Sequence, residues 1–131
     1  MERNIKWLKP ILIGKRIDEE DKQLNIGSGY DHNYVLNSEE GDFAVAARVY
    51  EPESGRTMEV WTSEPGMQFY SGNTLTSRKG KCGSEYKPRT AFCLETQHYP
   101  DSPNQESFPD TILRPGDKYH TVTEYRFNSI D

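Results

Sequence analysis

In 131 residues, 21 acidic and 16 basic side chains leave a formal net charge of −5 at pH 7, and a hydrophobic content of 33% gives a mean hydropathy of −0.92. That length predicts a single domain over residues 1–131, and eight Tyr and two Trp argue for a folded chain with a thin core. The acidic balance excludes a nucleic-acid backbone as the expected partner, since that affinity is built from Lys and Arg. No apolar run approaches the roughly 20 residues of a membrane span. The opening Met1–Trp7 carries charges where a signal peptide needs an apolar segment, so the expectation is a soluble, cytoplasmic protein with no membrane partner.

In chain order, residues 14–32 are rich in Asp, Glu, Gly and Lys and read as a long loop with one helical turn near Asp18–Leu24. Asp31 and His32 then enter an extended segment. From Phe43 to Tyr50 an ideal strand puts Phe43, Val45, Ala47 and Val49 on one face and Arg48 and Tyr50 on the other. Pro52, Ser54 and Gly55 form a turn, and Thr57–Thr62 alternates again, which predicts a hairpin.

Met67–Tyr70 is a third strand, Thr90–Gln97 a fourth and Tyr119–Phe127 a fifth. The cluster Arg78-Lys79-Gly80-Lys81 reads as a solvated loop. The loop from His98 to Pro115 holds four of the eight prolines together with Tyr99 and Phe108, too stiff and aromatic for a linker, and is expected to pack against the strands. Five strands with few helix signals predict an all-β fold, most simply an antiparallel β-sandwich.

The richest segment chemically is Phe92–Tyr99. Alternation turns Cys93, Glu95 and Gln97 to one face while Phe92 and Leu94 hold the other against a core. A carboxylate on a half-buried strand is either paired across the sheet with Lys or Arg, or is a general base with a tuned proton affinity. Asp31 and His32 are adjacent on an extended chain and point to opposite sides, so they form no ready-made dyad. Gln68 and Tyr70 project together, an amide and a phenol that suit sugar hydroxyls as well as any sheet surface. Cys93 lies five residues before His98, but no Asn or Asp is placed to orient that His, so a thiol nucleophile is not expected. The three His lack metal-ligand spacing and the two Cys read as free thiols, so neither a metal nor another cofactor is expected.

Three stretches, Gly29-Tyr30-Asp31-His32-Asn33-Tyr34-Val35-Leu36, Glu64-Pro65-Gly66-Met67-Gln68-Phe69-Tyr70-Ser71-Gly72-Asn73 and Phe92-Cys93-Leu94-Glu95-Thr96-Gln97-His98-Tyr99-Pro100-Asp101-Ser102-Pro103-Asn104, resemble in order and spacing the aldose 1-epimerases, or galactose mutarotases. Leu113–Tyr119 fits as well. The resemblance extends over about residues 10–127 and concerns only the C-terminal part of that family. It implies a large antiparallel β-sandwich that interconverts the α and β anomers of free hexoses such as galactose or glucose through the open aldehyde. Glu95 falls on the family's general base, and Asp31 and Gln68 fall on residues that bind sugar hydroxyls.

The resemblance also implies a gap. The family's general acid is a His of its N-terminal half, acting with a second His and an Arg, and none of those motifs occurs here. Two expectations follow: a C-terminal portion of a mutarotase, inactive alone and missing an N-terminal half, or a non-catalytic β-sandwich module for carbohydrate binding or assembly; strand edges left without their partners also predict a homo-oligomer.

Overall fold

The computed structural model describes residues 10–39 and 41–130, and the charged Met1–Trp7 segment lies outside them. The elements are predominantly extended: α1 (Lys22–Gly27), β1 (Asp31–Val35), β2 (Ala44–Tyr50), β3 (Arg56–Thr62), β4 (Gly66–Tyr70), β5 (Arg78–Lys79), β6 (Glu85–Tyr86), β7 (Cys93–Gln97) and β8 (Thr123–Ser129), with three short 3-10 turns. The strands form three sheets in the orders β1-β4-β7, β2-β3-β8 and β5-β6. The all-β expectation holds. No described helix is long and apolar enough to cross a membrane.

Contacts divide the chain into two compact units, one made of the residues up to Asn33 with Gln68–Glu95, the other of Tyr34–Met67 with the residues from Thr96 onward. In the first, Asp21 caps α1 by accepting from the Gln23 and Leu24 amides at 2.7 and 3.3 Å. Those donors have no partner within a helix, so a side-chain acceptor sets where the helix starts. The helix is therefore three to four residues later than the Asp18–Leu24 expectation, and it ends at Ser28 in the left-handed region. Tyr30 stacks on Phe69 at 5.1 Å between centroids, and Phe69 meets Phe92 edge-on at 6.1 Å. Arg78 and Lys79, expected as loop, pair with Tyr86 and Glu85 in a two-residue ladder. Strands that short carry no periodicity to read.

The second unit is built on the antiparallel sheet β2-β3-β8. The expected hairpin of β2 and β3 is present, but the predicted faces of its first strand are not. A bulge between Val45 and Ala47 shifts the register, so Val45 faces Trp61 while Ala47 faces Val60. An extra residue reverses the side-chain alternation on one side of it. Phe43 and Val45 thus lie on the face of Arg48 and Tyr50, and Phe43 packs on Trp61 at 5.9 Å. Arg126 lies over the Trp61 ring at 4.3 Å, and Glu59 accepts from Trp61 Nε1 at 2.9 Å and from Arg48 Nε at 2.7 Å. Those bonds, the indole first and Arg48 second, hold the Glu59 carboxyl below its ordinary range.

The opposite face carries Val60, fully buried between Ala47 and Tyr125 in the ladder. Thr62, equally buried, shares hydroxyl contacts with Thr123, which in turn meets Thr96 at 2.6 Å. The apolar core among the described residues is as thin as the composition implies: Ile17, Val60 and Met67 are the buried hydrophobics. The last strand begins at Thr123 and not at the expected Tyr119. The 98–115 loop is tied on itself, with Tyr99 edge-on to Phe108 at 5.2 Å, Ser102 Oγ donating to the Tyr99 carbonyl at 2.7 Å, and Asp101 accepting from Asn104 and Gln105. Cys82 and Cys93 are free and exposed.

Candidate functional site

The sheet β1-β4-β7 sets the site. Main-chain bonds from Ser71 to Tyr30 and from Leu36 to Pro65 flank the β1–β4 ladder and make it antiparallel with Asn33 across from Gln68. Alternation then puts Asp31, Asn33, Gln68 and Tyr70 on one face, with His32, Met67 and Phe69 on the other. The side chains confirm the pairing: Gln68 Nε2 donates to Asp31 Oδ1 at 2.7 Å. Asp31 Oδ2 and Gln68 Oε1 add further acceptors for hydroxyl donors.

Glu95 sits on the neighbouring strand β7. Because Phe92 packs against Phe69, the residues one step out of phase, Cys93, Glu95 and Gln97, fall on the side of the sheet that carries Gln68. Glu95 is exposed and makes no side-chain hydrogen bond or ion pair among the described residues. This removes the cross-strand ion pair as its explanation. The fold therefore bonds Asp31 to Gln68 and places Glu95 on the adjoining strand, with no direct bond joining it to either.

His32 is otherwise engaged, as its opposite orientation predicts. Its Nδ1 accepts from the Asp31 amide at 3.0 Å and its Nε2 donates to the Gln23 carbonyl at 3.2 Å, which ties α1 to β1. Tyr70 bonds Thr74 through its hydroxyl, at 2.7 Å to the side chain and 3.1 Å to the amide. Burial first, then the Glu19 carboxylate, raises the Tyr30 hydroxyl above its ordinary value, so it stays neutral behind the sheet.

Two features were not legible from the pattern of residues. Asn73 clamps the turn that delivers Asp31: its Nδ2 donates to the Gly27 and Tyr30 carbonyls at 2.8 and 2.9 Å, and its Oδ1 accepts from Ser71 Oγ at 2.7 Å. Ser71 Oγ in turn accepts from the Tyr30 amide at 3.1 Å. Gly29 is required here, since it sits at φ +130° and a Cβ would come within 2.4 Å of Asn73 Oδ1. The second is Glu64, only 5% exposed, which accepts from the Tyr119 hydroxyl at 3.2 Å and lies 2.8 Å from His98 Nδ1. Local sequence rules give no warning of contacts between residues so far apart in the chain.

The family model for aldose 1-epimerase matches residues 2–126, beginning upstream of the motifs that first suggested it. The chain is 46% identical over 122 residues to the galactose mutarotase of Homo sapiens and 35% identical over 118 residues to the aldose 1-epimerase of Escherichia coli. These alignments cover 92% and 88% of the chain and 34% of each relative, so the chain spans about a third of the relatives' length. The crystal structure of a GalM/aldose epimerase homologue from C. elegans superposes with a TM-score of 0.68 at 32% identity, over 77% of this chain and 30% of that one. By motif order, by sequence and by fold, this chain is a member of the aldose 1-epimerase family, matching about a third of its relatives' length.

Proposed function

We propose that this chain carries the base-bearing part of a mutarotase site, acting as one domain on free aldohexoses. The observation that carries the reading is the bonded Asp31–Gln68 pair with an unpaired Glu95 carboxylate on the adjoining strand. In this reading Asp31 and Gln68 hold hydroxyls of the sugar. Glu95 takes the proton from the C1 hydroxyl, the O–H electrons form the C1 carbonyl, and the bond from C1 to the ring oxygen breaks. The ring oxygen must then receive a proton. Reclosure on the other face of the aldehyde, with the proton transfers reversed, gives the second anomer.

In this reading the acid for the ring oxygen comes from outside this chain, because the resemblance places the family's general acid in its N-terminal half and none of His32, His98 and His120 falls on that motif. His32 is held by the Asp31 amide and the Gln23 carbonyl, and His98 lies beside Glu64, so each already has a structural engagement. Proton removal without donation leaves the former ring oxygen as an unneutralised alkoxide on the opened sugar, and half a site loses the preorganisation that makes individual contacts useful. The chain alone therefore binds sugar weakly. A heteronuclear NMR titration with galactose is expected to move the Asp31, Gln68 and Glu95 amides together, with millimolar or poorer affinity. Shifts confined to other segments would refute the site.

A further inference from the structure

Arg89 holds a left-handed backbone, φ 62°, on the stretch that leads into β7. That region is costly for any residue with a Cβ, and a long side chain such as Arg has none of the local bonding that lets Asn or Asp tolerate it. Such a conformation persists where the surroundings over-determine it. Here the Arg89 amide donates to the Gly72 carbonyl at 3.0 Å, Nη1 bonds Asp18 Oδ1 at 2.7 Å, and Nη2 donates to the Ser28 carbonyl at 3.0 Å. The two stretches are pressed together at Gly72, which sits at φ +69° and where a Cβ would come within 2.8 Å of the Ala91 carbonyl oxygen. Asp18, Ser28, Gly72 and Arg89 all belong to the compact unit that holds Asp31, Gln68 and Glu95.

Glycine would take this φ without strain, so what an arginine adds is its guanidinium. The ion pair it makes with Asp18 contributes little to stability, since the two side chains are 37% and 75% exposed. The bond to Ser28 acts differently. Ser28 is the left-handed cap of α1 and lies three residues before Asp31. Asn73 takes the Gly27 and Tyr30 carbonyls on either side of it, and Arg89 takes the Ser28 carbonyl that Asn73 leaves. Through its amide Arg89 also holds Gly72, just beyond β4, and its own chain runs on into β7. One residue is thus bonded to the turn that enters β1 and to the turn that leaves β4, and itself begins the approach to β7. We propose that Arg89 is a positioning residue for the sugar site, holding the Ser28 turn so that Asp31 meets Gln68 on the strand beside Glu95. The proposal rests on the mutarotase reading above and adds to it a residue that acts through Asp31 and not on the sugar.

The test uses the 131-residue chain in a heteronuclear NMR titration with galactose, paired with urea unfolding. Arg89→Gly removes the guanidinium, and its urea midpoint is expected to stay close to the parent's, because relief of the left-handed strain offsets the freer unfolded chain. In the sugar-free variant the Gln68 side-chain amide, bonded to Asp31 at 2.7 Å in the parent, is expected to move toward the position of an unbonded glutamine. Galactose affinity is expected to fall by about three- to tenfold, the change that one misaimed hydrogen bond makes. Arg89→Lys keeps the charge and the stem but cannot fork between Asp18 and Ser28, so it is expected to show both effects at smaller amplitude. A merely structural brace would lower the urea midpoint and leave the Gln68 signal and the affinity of the folded fraction as they are. That outcome, an unmoved Gln68 side-chain amide, or parental affinity in both variants would each overturn the role of Arg89. Galactose that shifts no site amide even in the parent chain would instead bring down the mutarotase reading, and the proposal with it.

Discussion

When this chain is fused behind the N-terminal two thirds of the human relative to give an active sandwich, Glu95→Gln is expected to lower the anomerisation rate by about 10²–10⁴-fold, the usual contribution of a general base. Gln keeps the volume and hydrogen-bonding reach of Glu but accepts no proton, so the loss is expected in kcat with KM little changed. Glu95 forms no ion pair among the described residues, so the substitution breaks no structural contact and stability should hold. The readout is polarimetry over a range of sugar concentrations. Rates within threefold of the parent would remove Glu95 from its role.

Asn73→Ala is expected to have the largest effect on stability. It deletes two donations to the Gly27 and Tyr30 carbonyls and one acceptance from Ser71, and leaves partly buried acceptors to be satisfied by water. A cost of about 2–3 kcal/mol is expected, because stranding a buried polar group costs more than an average hydrogen bond gains. It falls on the turn that aims Asp31, so amide exchange at Gly27–Tyr30 should rise before the rest of the chain is affected. Urea unfolding that shifts by less than about 0.5 kcal/mol would show that the clamp is redundant.

Much of the fold could be read directly from residues. The hairpin, the third strand and the all-β class follow from alternation, because a sheet with one covered face writes its period into the chain, and the fourth strand does so from Cys93, three residues later than the expected Thr90. The face assignment of Phe43 and Val45 failed because a bulge reverses alternation without any residue marking it, and Val45 and Ala47 fit a regular strand equally well. The last strand starts later than the alternation implies because Tyr119 and Thr121 continue the pattern although they lie before the β3 ladder begins. Helix α1 starts later than expected because its cap is Asp21, whose side chain accepts from the Gln23 and Leu24 amides.

The candidate site shows the same division. Placing Asp31, Gln68 and Glu95 on one sheet face needs their phase within each strand, which alternation gives, and the adjacency of those strands, which only the sheet order β1-β4-β7 gives. The bond between Asp31 and Gln68 spans 37 positions and the Asn73 clamp spans more than 40. Contacts of that kind are products of chain topology, and no local pattern encodes them. Glu64 illustrates the point: in the sequence it is one acidic residue before a Pro-Gly turn, and in the fold it is a buried carboxyl beside His98 and Tyr119.

In the proposed reading this chain supplies a base and hydroxyl-binding groups but not the acid that mutarotation requires. The most direct measurement is the optical rotation of freshly dissolved α-galactose or α-glucose followed with and without the purified 131-residue protein. The predicted result is a decay indistinguishable from the spontaneous rate. A decay that accelerates in proportion to protein concentration would contradict the claim and would make one of His32, His98 or His120 the proton donor.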